Sequence, residues 1–144
     1  MDCILCAVLN GDPAVQNLLL WRDHDFAVSL NLYPYNPGHL MIFPARHIED
    51  VRQMTTAEVQ GEALTRSLVM KVLDEVYEPQ GYNLGYNIGS ASGASIAHLH
   101  MHVVPRYQNE LGVIDILSGN KIIIEDPVVT RQKLIDAFAN IGKT

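Results

Sequence analysis

Three histidines at alternate positions, His98, His100 and His102, are the residues of this sequence best suited to chemistry. In a β-strand, residues at i, i+2 and i+4 share one face, so these imidazoles should project together while Leu99 and Met101 enter the core. Near neutral pH an imidazole can act as a nucleophile, a proton donor or a metal ligand. We therefore interpret the segment as a catalytic or ligand-binding strand with His100 on its open face.

Two other interpretations of the histidine run are possible. The three side chains could form the solvated polar face of an amphipathic strand. They could also bind one metal ion together, but same-face residues at i and i+4 lie roughly 13 Å apart, too far for one ion unless the strand bends. The adjoining loop from Gly89 to Ser95 is rich in Gly and Ser, and its N–H groups can converge on an anion. This loop favours phosphate chemistry.

Cys3 and Cys6 are the two cysteines of the chain, and their spacing offers a pair of soft metal ligands. A closed tetrahedral zinc site needs two more ligands, which histidines can supply. The alternatives are a thioredoxin-like redox pair, which belongs between a strand and a helix, and two cysteines without a shared role. We favour zinc, with His47 and one histidine of the run as the remaining ligands.

Length and charge limit the classes of partner. The 144 residues fit one domain, which we expect to span 1–144. The net charge of −6 disfavours broad binding to nucleic acid or anionic lipid, because such binding needs a basic surface. The chain also has no recognisable signal peptide or bilayer-spanning run. We therefore predict a cytoplasmic protein without a nucleic-acid or membrane partner, in which a small anionic ligand is still possible.

Alternating apolar residues predict the strands that position these side chains. A tight connection rich in Pro, Asn and Gly, from Asn31 to Gly38, separates the first two of them. The predicted strands cover 26–30, 39–43, 82–88 and 98–103, with a further short β-like stretch at 121–125. Consecutive strands joined by short turns favour an antiparallel sheet with helices on one face, which is an α+β architecture.

Two helices complete the prediction. Thr55 and Glu58 have the spacing of a capping box and open the first helix, which ends at Pro79 and Gly81. The residues predicted on its inner face, at intervals of four, are Leu64, Leu68, Val72 and Val76. Asp126-Pro127 opens the final helix. Its predicted inner residues are Leu134, Phe138 and Ile141.

The run from His98 to Val104 resembles the signature of the histidine triad (HIT) superfamily of nucleotide hydrolases and transferases. The resemblance covers most of the chain. It includes Asn31 with Pro37-Gly38-His39, Pro44-Ala45-Arg46-His47-Ile48, Asn87-x-Gly89 and the loop from Gly93 to His98. Residues 31–40 and Ala94 are most similar to the diadenosine tetraphosphate phosphorylase-like branch. After Pro105-Arg106 the sequence departs from that branch, which leaves open whether water or phosphate is the acceptor.

The resemblance implies a fold and a reaction. The fold is a five-stranded antiparallel sheet with two main helices on one face, in a homodimer whose sheets run together. The substrate is a purine nucleotide, either a dinucleoside polyphosphate or a nucleotide phosphoramidate. His100 attacks its α-phosphorus and gives a nucleotidyl-histidine, which water or another acceptor then resolves.

Further site residues follow from the same resemblance. Asn31 would bind the ribose, and His39 would belong to a supporting histidine network. Phosphate oxygens or the leaving group would be contacted by Asn87, Gly93, Ala94, Ser95 and His102. Zinc-bearing members would use Cys3, Cys6, His47 and His98, which makes the ion structural, because four protein ligands leave no open position.

Two other functional hypotheses belong to different classes. The chain could be a nucleotide-binding signalling module in which turnover is incidental, because a site that forms the intermediate can also retain nucleotide. It could also be a zinc-stabilised interaction protein without phosphate chemistry. Incubation with diadenosine tetraphosphate and with an adenosine phosphoramidate, with and without inorganic phosphate, discriminates between these hypotheses when wild type is compared with His100→Ala.

Overall fold

A five-stranded antiparallel sheet forms the centre of the structure, a computed structural model that describes residues 3–31, 37–108 and 126–141. Its strand order is β1-β2-β3-β5-β4. The strands are β1 (Leu19–Arg22), β2 (Phe26–Leu30), β3 (Leu40–Pro44), β4 (Gly81–Tyr86) and β5 (Met101–Arg106). The pairing of β3 with β5 aligns Met41 with His102, which places the end of the histidine run in the middle of the sheet.

The two faces of the sheet are covered differently by α1 (Ile4–Leu9), α2 (Thr56–Tyr77) and α3 (Pro127–Ile141). Both long helices pack on one face, where Ile42 and Val103 lie in one core cluster with Val72 of α2 and Phe138 of α3. On the opposite face, Leu5 of α1 packs in a smaller cluster with Ala27, Met41 and Phe43. The predicted α+β architecture, an antiparallel sheet with two main helices on one face, is therefore confirmed. None of the helices in the described residues combines the length and the apolar composition that a bilayer-spanning helix needs.

Helix α2 begins as predicted, but one residue of its predicted inner face is wrong. The Thr55 side chain accepts a hydrogen bond from the Glu58 N–H, and Glu58 accepts one from the Thr55 N–H, which completes the capping box. Leu64 is 74% exposed instead of buried. A line of residues four apart drifts around a helix by about 40° per step, which carries Leu64 away from the sheet. The fully buried residues include Val69 and Val72.

Other elements differ from the prediction in position. Strand β1 and helix α1 were not predicted from the sequence. The β-like stretch at 121–125 lies outside the described residues. The final helix is confirmed, with Leu134 and Phe138 buried and Ile141 packed against the core.

The histidine run is only partly a strand. His102 lies in β5, but His98 and His100 precede it in irregular backbone with a bend at His98. The strict alternation of a strand therefore does not apply to these two residues. His98, Leu99 and His100 are all buried, where sequence alternation predicted that only Leu99 would enter the core.

Gly38 brings the chain tightly into β3. Its φ of +85° is in the left-handed region that side chains rarely adopt. A Cβ atom at this position would lie 3.1 Å from Leu73, 3.1 Å from Tyr77 and 3.2 Å from Pro105. Glycine therefore allows the backbone to lie against α2 and β5 immediately before His39.

Candidate functional site

Four potential metal ligands from distant parts of the chain converge next to the histidine run. Cys3 precedes α1, Cys6 lies within it, His47 follows β3 and His98 precedes β5. Their ligand atoms all lie within 4.8 Å of one another. The Cys3 Sγ lies 3.4 Å from the His98 Nδ1, and the Cys6 Sγ lies 3.5 Å from the Nδ1 atoms of both His47 and His98. These are the four residues that the resemblance implied.

Hydrogen bonds on the far side of each imidazole turn its Nδ1 toward the sulfur atoms. The His98 Nε2–H donates to the Pro44 carbonyl oxygen at 2.8 Å. The His47 Nε2 lies 3.0 Å from a Glu49 carboxylate oxygen, to which it donates. In each neutral ring the Nδ1 lone pair then faces the cluster, as a metal ligand requires. Two sulfur and two nitrogen donors fit a closed tetrahedral zinc site.

The two thiols of this cluster differ in acidity. Burial and the neighbouring Cys3 sulfur raise the pKa of the Cys6 thiol to about 11. Burial also raises the pKa of Cys3, but hydrogen bonds from Cys6 and His47 outweigh it and the pKa of Cys3 is lowered. One thiolate therefore disfavours the second. A divalent cation removes that penalty because it stabilises both thiolates.

The backbone at His98 fixes the proton on the His100 ring. The His100 Nδ1 lies 2.8 Å from the His98 carbonyl oxygen. A carbonyl oxygen only accepts hydrogen bonds, so Nδ1 carries the proton and Nε2 of the neutral ring has a free lone pair. Within the described ranges, no hydrogen bond engages this Nε2. His100 therefore has the tautomer that a nucleophile at Nε2 requires.

The expectation that His100 lies on an open face is wrong, because the residue is only 4% exposed. Its ring lies edge to face against that of His102, with ring centroids 4.9 Å apart. Neighbouring protein therefore replaces most of the water around this imidazole. Such an environment strengthens electrostatic interactions with a bound anion.

His39 and His102 form a pair of imidazoles in contact with each other beside His100. The His39 Nε2 lies 2.9 Å from the His102 Nδ1, and the Asn31 side-chain nitrogen lies 3.2 Å from both ring nitrogens of His39. Burial, followed by the charges of His102 and His100, lowers the pKa of His39 to about 3. Burial and His100 also lower the pKa of His102. Both rings are consequently neutral near neutral pH, and the predicted network of His39 with the triad is present.

The loop residues implied by the resemblance are less closely engaged. Asn87, Gly93 and Ser95 are exposed, and Ala94 is half-buried. In the part of the chain that the structure describes, neither the Asn87 nor the Ser95 side chain hydrogen-bonds to the histidines. Their roles toward phosphate therefore stay predictions. Positive φ angles at Gly89 and Gly93 give this loop its shape before the chain reaches His98.

The sequence interpretation missed two groups that orient the ligands. Glu49 holds His47, and the signal that could have indicated it is the His-x-Glu spacing. The Pro44 carbonyl oxygen holds His98. A backbone carbonyl has no residue-type signal, so only the fold identifies it.

Comparisons with known proteins agree with this arrangement. The model of the HIT domain family matches residues 13–109. The AP-4-A phosphorylase of Mycobacterium tuberculosis is 40% identical over 111 residues, which cover 76% of this chain and 57% of that protein. The asymmetrical bis(5'-nucleosyl)-tetraphosphatase of Schizosaccharomyces pombe is 25% identical over 103 residues, covering 72% and 57% of the two chains. The chain thus spans little more than half the length of these two relatives.

A solved structure extends the similarity to the whole fold. A zinc-bound histidine triad family protein from Mycobacterium smegmatis superposes with a TM-score of 0.81 and 25% sequence identity. The superposition covers 99% of this chain and 97% of the other. Family match, sequence identity and fold agree with the paired imidazoles and the four-ligand cluster. The chain belongs to the HIT family.

Proposed function

We propose that the chain is a nucleotide hydrolase or nucleotidyltransferase that cleaves at the α-phosphate of dinucleoside polyphosphates or nucleotide phosphoramidates. The observation that carries the proposal is the bond from the His100 Nδ1 to the His98 carbonyl oxygen, at 2.8 Å. It leaves Nε2 as a neutral nucleophile beside two further neutral imidazoles. The names of the relatives, which are a phosphorylase and a tetraphosphatase, support the substrate class.

The first step forms a bond between the His100 Nε2 and the α-phosphorus while the bond from phosphorus to the leaving group breaks. A polyphosphate leaves as its anion, and the nitrogen of a phosphoramidate leaves as an amine after taking up a proton from solvent. The ring then carries a positive charge, and the His98 carbonyl oxygen stabilises the proton that stays on Nδ1. In the second step, water or phosphate attacks the phosphorus and the bond to Nε2 breaks. This step restores neutral His100, and the attacking group loses a proton to solvent.

Other residues bind the substrate in this proposal. Asn31 contacts the ribose, and Asn87, Ser95 and His102 contact phosphate oxygens or the leaving group. The N–H groups from Gly93 to Ser95 stabilise charge on the equatorial oxygens. Zinc bound by the four-ligand cluster supplies a cross-link among three segments of the chain. Four protein ligands would leave the ion no open position, so no substrate contact is assigned to it.

The low exposure of His100 favours a second candidate function. A nucleotide attached to a 4%-exposed imidazole would be released slowly, which suits a nucleotide-binding signalling module with incidental turnover.

We also propose a homodimer, as the resemblance implies. The position of β4 at the edge of the sheet is compatible with it. Sedimentation equilibrium tests that assembly.

The decisive experiment compares wild type with His100→Ala on diadenosine tetraphosphate and on an adenosine phosphoramidate, with and without inorganic phosphate. We expect mass spectrometry of wild type quenched during turnover to show an adenylyl adduct on the peptide that contains His100. The variant should show none. Product identity separates the acceptors, because adenylyl transfer to water gives AMP and transfer to phosphate gives ADP.

The matched control is His24→Ala, which removes a histidine whose side chain is 99% exposed. It should retain the adduct. Because His100 is buried, circular dichroism must first show that His100→Ala is folded. Unchanged turnover in the folded His100→Ala variant would reject the mechanism. An adduct that forms once in wild type, without further turnover, would favour the signalling module.

A further inference from the structure

Cys3 and Cys6 lie one helical turn apart, and both are free thiols. The Cys3 carbonyl oxygen accepts the Ala7 N–H at 3.0 Å, so the helical turn already begins at Cys3. Its Sγ also accepts the Cys6 N–H, at 3.4 Å. In an ideal helix, Cα atoms three residues apart lie about 5 Å from each other. A disulfide bond needs a Cα separation of about 4.4 to 6.8 Å, which this backbone provides.

The two sulfur atoms are already close to each other. All ligand atoms of the four-ligand cluster lie within 4.8 Å of one another, and the two Sγ atoms are among them. An S–S bond is about 2.05 Å long, so the remaining gap is less than about 3 Å. Rotation of the two side chains closes a gap of this size. Formation of a disulfide bond therefore does not require the backbone of α1 to move.

The sulfur atoms are accessible from solvent, unlike the ring of His98. Cys3 and Cys6 are half-buried and the His47 side chain is 40% exposed, whereas His98 is fully buried. A small oxidant can therefore reach the sulfur atoms. It meets no other thiol, because the chain has two cysteines. Thiolates are the reactive form of cysteine, and a bound zinc ion would keep both sulfur atoms in that form.

Helix α1 has contacts outside the four-ligand cluster that hold it on the sheet. Leu5 is 3% exposed and packs in one apolar cluster with Met41 and Phe43 of β3. At the end of the helix, the Leu9 carbonyl oxygen accepts a hydrogen bond from the Arg22 side chain of β1 at 3.3 Å. Neither contact involves a sulfur atom. The helix should therefore stay in place when the cysteines change their bonding.

We propose that Cys3 and Cys6 form a reversible oxidation site, at which a hydroperoxide exchanges the zinc ion for a disulfide bond. One thiolate attacks a peroxide oxygen, the O–O bond breaks, and the sulfur becomes a sulfenic acid. The second thiolate attacks this sulfur, the S–O bond breaks, and the disulfide forms. The two thiolates lose two electrons to the peroxide, and with two protons from solvent hydrogen peroxide leaves as two molecules of water.

The disulfide would release the metal. Its sulfur atoms have lost the negative charge of thiolates, so His47 and His98 alone would remain as ligands. A dithiol reductant reverses the change by thiol–disulfide exchange, in which it becomes a disulfide and both cysteines return to thiols. The zinc site and the redox pair are then two states of the same cysteines. The inference does not depend on the proposed phosphate chemistry.

The first test uses zinc-loaded wild type and hydrogen peroxide, without any nucleotide. Released zinc is followed with a chromogenic chelator, and the remaining thiols are counted by alkylation. We expect one ion to be released for each pair of thiols lost. The tryptic peptide 1–22 contains both cysteines, and it should become lighter by two hydrogen atoms and resist alkylation. Dithiothreitol should restore both thiols and zinc binding, but it leaves methionine sulfoxides, which peroxide also forms.

The second test asks whether Cys6 resolves the oxidised Cys3. In Cys6→Ser the Cys3 sulfenic acid has no neighbouring thiol, so dimedone should label it. Wild type should form the disulfide instead and take up little dimedone. Equal labelling of the two proteins would overturn the pairing of the cysteines.

Circular dichroism tests whether the change is confined to the cluster. Oxidised wild type should keep its far-ultraviolet spectrum, while its Tm should no longer rise with added zinc. The proposal is overturned if the folded protein keeps its zinc and both thiols at a peroxide concentration that oxidises the urea-unfolded chain. Zinc release with a sulfinic acid or with a disulfide between two chains would also overturn it, as would a purified chain that cannot be loaded with zinc.

Discussion

The His39 Nε2 lies 2.9 Å from the His102 Nδ1, so one hydrogen bond links the residue before β3 to the second residue of β5. The bond requires one ring to donate and the other to accept. Burial lowers the pKa of both imidazoles, that of His39 to about 3, which keeps the pair neutral. A neutral pair beside His100 avoids placing positive charge next to the cationic ring that nucleophilic attack would create.

The first prediction concerns stability in acid. Native His39 stays neutral down to about pH 3, while the unfolded histidine protonates near its ordinary pKa of 6.5. Unfolding therefore takes up a proton between these values, and the free energy of unfolding falls as the pH falls. His39→Gln should remove up to about 1.4 kcal/mol per pH unit from this dependence between pH 6 and 4. Urea unfolding across that range measures it.

His24→Gln is the control for this prediction, because it removes an exposed histidine without touching the buried pair. Its free energy of unfolding should follow the wild-type pH dependence. Parallel curves for wild type and His39→Gln would show that His39 does not resist protonation in the native state.

The second prediction concerns metal removal. Cys3→Ser combined with Cys6→Ser takes both sulfur donors from the cluster, so the purified variant should contain no zinc. A ligand that binds only the native state stabilises it by about 4 kcal/mol at a free concentration one thousand times its Kd. The wild-type Tm should therefore rise with added zinc, and that of the variant should not. Metal analysis that finds no zinc in purified wild type would remove the basis of this prediction.

The third prediction concerns Gly38. Gly38→Ala should lower the free energy of unfolding by about 1–3 kcal/mol, because it combines a left-handed backbone with close contacts. Gly11→Ala is the matched control, since Gly11 has a φ of +69° but no atom within 4 Å of the point where a Cβ would lie. It should be less destabilising. Equal losses in urea unfolding would show that Leu73, Tyr77 and Pro105 yield freely to the added methyl group.

The fourth prediction concerns Ser95, which is exposed and makes no side-chain hydrogen bond to the described residues. Ser95→Ala should leave the Tm unchanged but slow adduct formation on the order of 10²-fold, if its hydroxyl assists the leaving group. Ser90→Ala, in the same loop, is the control and should retain the wild-type rate. Rapid-quench measurements give the rate of adduct formation for both variants. Equal rates would exclude a role for the Ser95 hydroxyl.

Local patterns in the sequence were enough for much of the fold. The capping box at Thr55 and Glu58 depends on residues three positions apart, and β2 was predicted from apolar residues two positions apart. All five residues of β2 are buried, because helices cover both faces of the sheet there, so the alternation predicted the strand but not its burial. Helix α1 escaped prediction because six residues form a marginal helix on their own. It is held by tertiary packing of Leu5 against β2 and β3.

The family and the residue types of the four-ligand cluster could be predicted from the sequence alone, because motif and ligand chemistry are properties of the side chains. The ring nitrogen that each histidine presents could not, because it depends on the fold. The hydrogen bond from the His98 Nε2 to the Pro44 carbonyl oxygen directs the Nδ1 of His98 toward the sulfur atoms. The hydrogen bond from the His100 Nδ1 to the His98 carbonyl oxygen leaves the lone pair on the Nε2 of His100. Neighbouring histidines of one motif thus have opposite tautomers, because each is set by an oxygen whose position depends on the folded backbone.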